Sequence, residues 1–104
     1  MPETNEKLRT SHAVYKVPDG KMIRIEMDYT DKIEHINISG DFFLHPEDGI
    51  DKIEKALVGV ELKEELIFDT VVKIIDEEKL EFFGADASSL TRAILICGGK
   101  HETN

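Results

Sequence analysis

Residues 22–30 read MIRIEMDYT, and Ile23, Ile25, Met27 and Tyr29 alternate there with Arg24, Glu26, Asp28 and Thr30. Successive side chains of an extended chain point to opposite sides, so a period of two predicts a strand with one dry face and one wet face. On its N-terminal side, AVYKV (13–17) predicts a short strand. PDGK (18–21) predicts the turn between them, with Pro18 presetting φ and Gly20 accepting a positive φ. On its C-terminal side, Thr30-Asp31-Lys32 predicts a second turn. IEHINISG (33–40) then predicts a third strand with Ile36 and Ile38 on one face. Three consecutive strands joined by short turns make an antiparallel meander, and its single apolar face needs a cover.

The remainder of the chain supplies that cover. Ile50, Ile53 and Leu57 recur at helical spacing from about Glu47, and Gly59 ends the run. Leu66, Ile67, Val71, Ile74 and Ile75 predict a longer helix over Lys63–Lys79. Asp86 is the expected N-cap of a third helix, which carries Leu90, Ala93, Ile94 and Cys97 on one stripe and stops at Gly98-Gly99. The expected fold is α+β: a three-stranded antiparallel sheet with about three helices packed on one face. Residues 1–12 read as a flexible arm, 13–98 as a single domain and 99–104 as a polar tail. A chain of 104 residues has room for one core of this kind.

Composition removes several classes of function. The formal net charge is -9. Binding a phosphate backbone relies on cations that displace counterions, so no nucleic-acid partner is expected, and an anionic membrane surface is disfavoured for the same reason. No apolar run approaches the roughly 20 residues that span a bilayer, and the polar N-terminus lacks the apolar core of a secretory signal. A cytoplasmic location is the expectation. The acidic charge is concentrated in residues 28–86, whereas residues 1–17 hold Lys7, Arg9 and Lys16 against Glu3 and Glu6. Such an acidic surface is either a solvated face or a surface that steers a basic partner.

A catalytic set is not evident. Cys97 is the single cysteine, which excludes an internal disulfide and a cysteine cage, and its place on an apolar stripe reads as core. His12, His35, His45 and His101 show no ligand spacing with a neighbouring carboxylate, so no metal site is expected. Gly20-Lys21 leads into a strand and Gly98-Gly99-Lys100 follows a helix, so neither is a phosphate loop. What remains is SGDFFLHPEDGI (39–50). Gly40 permits a bend or a close approach, Pro46 ends the extended stretch, and Phe42 and Phe43 must point to opposite sides of an extended chain. Either both rings pack inside the corner or one belongs to a docking surface. A ring in the core would be worth roughly 3–5 kcal/mol on truncation to alanine.

Four segments in order resemble the C-terminal accessory domain of lipoate–protein ligases. YKVPDGKMIRI (15–25) resembles its opening Lys-x-Pro-x-Gly-Lys turn and strand, and ISGDFF (38–43) its Gly-Asp-Phe-Phe corner. IDKIEKALVGV (50–60) resembles its Leu-Glu-x-x-Leu-x-Gly helix, and FFGADASSL (82–90) its Phe-Gly turn and capped final helix. The resemblance implies a fold like that of iron–sulfur scaffold and sulfur-acceptor proteins. It also implies a split, archaeal type of ligase in which this domain is a separate subunit paired with a catalytic subunit as a heterodimer. ATP, Mg and lipoate would be used by that complex and none bound by this chain. The substrates would be the lipoyl domains of 2-oxoacid dehydrogenases and of the glycine cleavage system. In the family this domain is tied to lipoate activation, and no catalytic residue is carried over. The sheet end with Lys16, Lys21, Gly40, Asp41, Phe42, Phe43 and His45 is the candidate face toward the partner or its nucleotide. Two alternatives stand beside this reading: a sulfur-trafficking or iron–sulfur scaffold-like protein, which needs a loop cysteine as acceptor or about three cysteines as cluster ligands, and an adaptor that binds lipoyl domains without aiding catalysis.

Overall fold

In the computed structural model, which describes residues 7–18 and 21–100, the alternating stretch becomes the central strand of a three-stranded antiparallel sheet. The elements in chain order are β1 (Arg9–Lys16), β2 (Met22–Tyr29), β3 (Ile33–Gly40), β4 (Phe43–His45), α1 (Gly49–Leu57), α2 (Glu64–Glu78), β5 (Glu81–Phe83) and α3 (Ala87–Cys97). Ile23, Ile25, Met27 and Tyr29 are all buried, as the period of two requires. The register sets Ala13 and Ile38 on either side of Ile25, and Ile36 beside Met27, so the apolar rows run straight across the sheet.

Three helices cover that face. α1 packs on β3, α3 packs on β1 and β2, and α2 packs against both helices through Ile67 and Val71, which are fully buried. Asp86 starts α3 as expected. Its carboxylate accepts the Ser89 N–H at 2.8 Å while the Ser89 hydroxyl accepts the Asp86 N–H at 3.0 Å, a reciprocal capping box. On the outside, Lys52 of α1 reaches Glu78 of α2 at 3.2 Å, and this hydrogen bond raises the Lys52 pKa above its usual value.

Cys97 is core. Its thiol lies 3.8 Å from the Ile25 carbonyl oxygen and is 3% exposed. Burial pushes its pKa up, opposed by a hydrogen bond with Ser11.

The far edge of β3 is capped at two places. Ile33 N–H donates to Val60 O at 2.9 Å, Gly59 N–H donates to Ile33 O at 2.7 Å, and Ile38 N–H donates to the Glu54 carboxylate at 2.7 Å.

Two features depart from the expectation. The first strand begins at Arg9 and not at Ala13, so residues 9–12, read as arm, pair with β2 opposite Tyr29 to Glu26. RTSH carries no apolar alternation, and its pairing is dictated by the length of β2. In addition, β4 and β5 form a separate two-stranded ribbon that the strand pattern did not reveal. Three residues are too short for a visible period, and the partner strand lies far along the chain. The first six residues of the expected arm, the Asp19-Gly20 half of the first turn and residues 101–104 of the expected tail lie outside the described residues. No helix among the described residues is long and apolar enough to cross a membrane.

Candidate functional site

The corner after β3 is built on Gly40, whose φ is +152°. A Cβ there would lie 2.2 Å from the Met22 carbonyl oxygen and 3.0 Å from the Phe42 ring, so no side chain fits. The next residue continues the ladder, with Asp41 N–H donating to Met22 O at 2.9 Å. Met22 in turn sits opposite Lys16 at the last pair of β1 and β2. Val17 N–H donates to Lys21 O at 2.7 Å, which closes the turn beside them. Lys16, Lys21, Gly40 and Asp41 therefore share one end of the sheet, as anticipated. The β5–α3 turn also arrives there: a Cβ on Gly84 would lie 3.3 Å from Lys21 Cγ and 3.5 Å from Phe42 Cα.

From Asp41 the chain enters the ribbon. Phe43 pairs with Phe83, Leu44 with Phe82 and His45 with Glu81. Alternation gives the ribbon two unlike faces. Inward, Leu44 and Phe82 are half-buried, and the Phe82 ring meets that of Phe42 at 5.8 Å between centroids, tilted by 58°. This face presses on the start of α1, where a Cβ on Gly49 would come within 2.8 Å of Leu80 and 2.9 Å of Leu44. Outward, Phe43 is 73% exposed and Phe83 55%. His45 and Glu81 are exposed on the same outward side at the far end of the strand pair, two residues from Phe43. A shallow cavity of about 230 Å³ lies between Gly40, Phe42, Phe43, Glu47 and Ile50.

The structure thus sorts the candidate residues. Phe42 belongs to the inner packing, and Phe43 stands in water. His45 is separated from the lysine end by the length of β4. Sequence reasoning missed Phe83 and Glu81. The available signal was the second Phe-Phe pair, residues 82–83, an echo of residues 42–43. His12 and His35 lie on the wet face of the sheet around Glu26 and Asp28. No group of three or more potential metal ligands occurs among the described residues, and His101 lies outside them. What this corner offers is contact area: two adjacent exposed aromatic rings beside a polar pair, on a backbone held by the main ladder. Exposed aromatics of this kind are typical anchors of interfaces.

Comparison with known proteins follows the same direction. Residues 19–94 match the family described as the bacterial lipoate protein ligase C-terminus. No curated protein matches the chain significantly. Among solved structures, the chain is similar to one in the structural analysis of an archaeal lipoylation system, a bipartite lipoate protein ligase and its E2 lipoyl domain from Thermoplasma acidophilum. The identity is 26% and the TM-score 0.70, over 86% of this chain and 97% of that one.

Proposed function

This chain belongs to the lipoate protein ligase C-terminal family, and from that premise we propose that it is the accessory subunit of a split lipoate–protein ligase. The observation that carries the reading is the similarity, over almost the whole length of the other chain, to a component of a two-part ligase system. The partner is a catalytic subunit, with which this protein forms a heterodimer in the cytoplasm. The complex joins the lipoate carboxylate to the α-phosphate of ATP, releasing pyrophosphate. The lysine amine of a lipoyl domain then attacks the acyl carbon of lipoyl-AMP, forming an amide and releasing AMP. ATP, Mg and lipoate are bound by the catalytic partner.

The accessory role is physical. A mixed anhydride is hydrolysed by water, so its formation needs a closed, dry site. A rigid domain that docks over that site orders its loops and excludes solvent without lending an acid or a base. The Phe43–Phe83 face suits such docking, and Lys16 at the neighbouring sheet end adds positive charge toward the nucleotide. A sulfur-acceptor role needs an accessible thiolate, and the buried Cys97 is not one.

The test is lipoate-dependent exchange of pyrophosphate into ATP by the catalytic subunit of the same organism, with and without this protein. Exchange that requires both components is the expected result. Equal exchange with and without it removes the accessory role, and binding to isolated lipoyl domains would then identify an adaptor.

A further inference from the structure

The two edges of the main sheet are treated differently. The β3 edge is capped at Ile33 by residues 59 and 60 and at Ile38 by Glu54. Among the described residues, no strand or loop pairs with the β1 edge. Val17 N–H bonds to Lys21 O, so Val17 and the alternate residues Tyr15, Ala13 and Ser11 direct their backbone groups to β2. Those of Thr10, His12, Val14 and Lys16 point outward, and no described residue bonds to them. An unpaired edge of eight residues is a template for an added strand, and native proteins usually block such edges.

A second observation lies beside that edge. A groove of about 710 Å³ runs along α3, with Tyr15 and Val17 on the sheet side and Phe68, Arg92, Leu95 and Lys100 among its other walls. Tyr15 and Val17 lie in the row that faces the helices, because Tyr15 sits opposite the buried Ile23. In a strand added to β1, every second side chain would fall on that same side, into the groove. Main-chain bonds plus a pocket for alternate side chains is the usual arrangement of strand addition.

We propose that the β1 edge and this groove take up an extended segment of the catalytic subunit, carrying carboxylates and an apolar side chain, as an added antiparallel strand. The inference rests on the accessory-subunit reading and deepens it. The charge argues for that occupant. Arg92 and Lys100 line the groove with Glu64 and Asp86, whose carboxylate accepts the Ser89 N–H, while Arg9 and Lys16 of the edge strand are accompanied by Arg24, Glu26 and Asp28 of β2. With five cations to four carboxylates, this region is far less acidic than the rest of a chain of net charge -9 and receives an acidic segment more readily. A second copy would have to pair with its outward residues matched, Thr10 opposite Lys16 and His12 opposite Val14, and is the alternative occupant that the experiment separates.

Amide hydrogen exchange of this protein, alone and mixed with the catalytic ligase subunit, tests the assignment. The amides of Thr10, His12, Val14 and Lys16 are expected to slow by about tenfold or more in the mixture. Val14→Pro deletes an outward N–H without touching a bond to β2. It should weaken the complex by about tenfold, while Val14→Thr, which keeps the N–H, binds like the wild type. A complex that forms with these four amides still exchanging freely overturns the inference and leaves the accessory function standing. Failure of any complex to form overturns both. Protection that appears without the partner and grows with protein concentration identifies a second copy and overturns the proposed occupant. Should Val14→Pro lose its fold by circular dichroism, the wild-type exchange pattern decides alone.

Discussion

Phe42 and Phe43 are the same residue one position apart, and the corner sends them to opposite destinations. Phe42 leans on Phe82 against the core, whereas Phe43 stands 73% exposed beside Phe83. The strand period sends the two rings to opposite sides, and the packing of Phe42 on Phe82 decides which of them is covered. The difference separates two kinds of contribution within one short segment: inner rings that hold the ribbon to the domain, and outer rings that have no work to do in the isolated fold.

That comparison can be broken at several points. The largest effect is expected at its hinge. Gly40→Ala drives a Cβ into the Met22 carbonyl and strains a positive φ, so it should lower stability by about 3 kcal/mol or more, read by chemical denaturation. Phe42→Ala should come next, at about 3 kcal/mol, the low end for a phenylalanine because the ring is only half-buried. A double-mutant cycle with Phe82→Ala should then return a coupling of about 1 kcal/mol. If Phe42→Ala is as mild as a surface change, the inner face is not the anchor.

The outer rings should behave in the opposite sense. Phe43→Ala and Phe83→Ala should each change stability by less than about 0.5 kcal/mol yet weaken binding to the catalytic subunit by about 1 kcal/mol or more, measured by titration calorimetry. Binding equal to wild type for both would remove this face from the interface. The smallest effect concerns Cys97, whose pKa is raised by burial from an ordinary 9.0. The folded state holds that proton more tightly than the unfolded chain does. This contribution is therefore fully present below pH 9 and is lost as pH rises above it. Cys97→Ala should remove that part of the alkaline decline, although the truncation itself lowers stability at every pH.

Much of the fold was legible because it is written in local periods. Ile23 to Tyr29 alternate over seven residues, long enough for a period of two to be unmistakable. Asp86 and Ser89 announce the start of α3 by a bond within one turn. The candidate site was legible in part. Gly40 and the opposed phenylalanines follow from backbone chemistry, and the Lys-x-Pro-x-Gly-Lys segment places its lysines at the same sheet end through the register of β1 and β2. Phe83 was not legible as a partner of Phe43, because nothing within three residues of either announces a strand.

The sequence by itself determined the central meander, the three helices and the opposite directions of the two rings, since each depends on side-chain alternation or a cap within a few bonds, while the packing of the ribbon decided which ring is buried. Only the tertiary structure decided that residues 81–83 return to pair with 43–45, that Glu54 and residues 59 and 60 cap part of one sheet edge, and that no described residue pairs with the other edge, which lies beside a groove. Those are contacts between segments distant along the chain. Which of them form depends on how the helices pack over the shared apolar face, and no local pattern records that outcome.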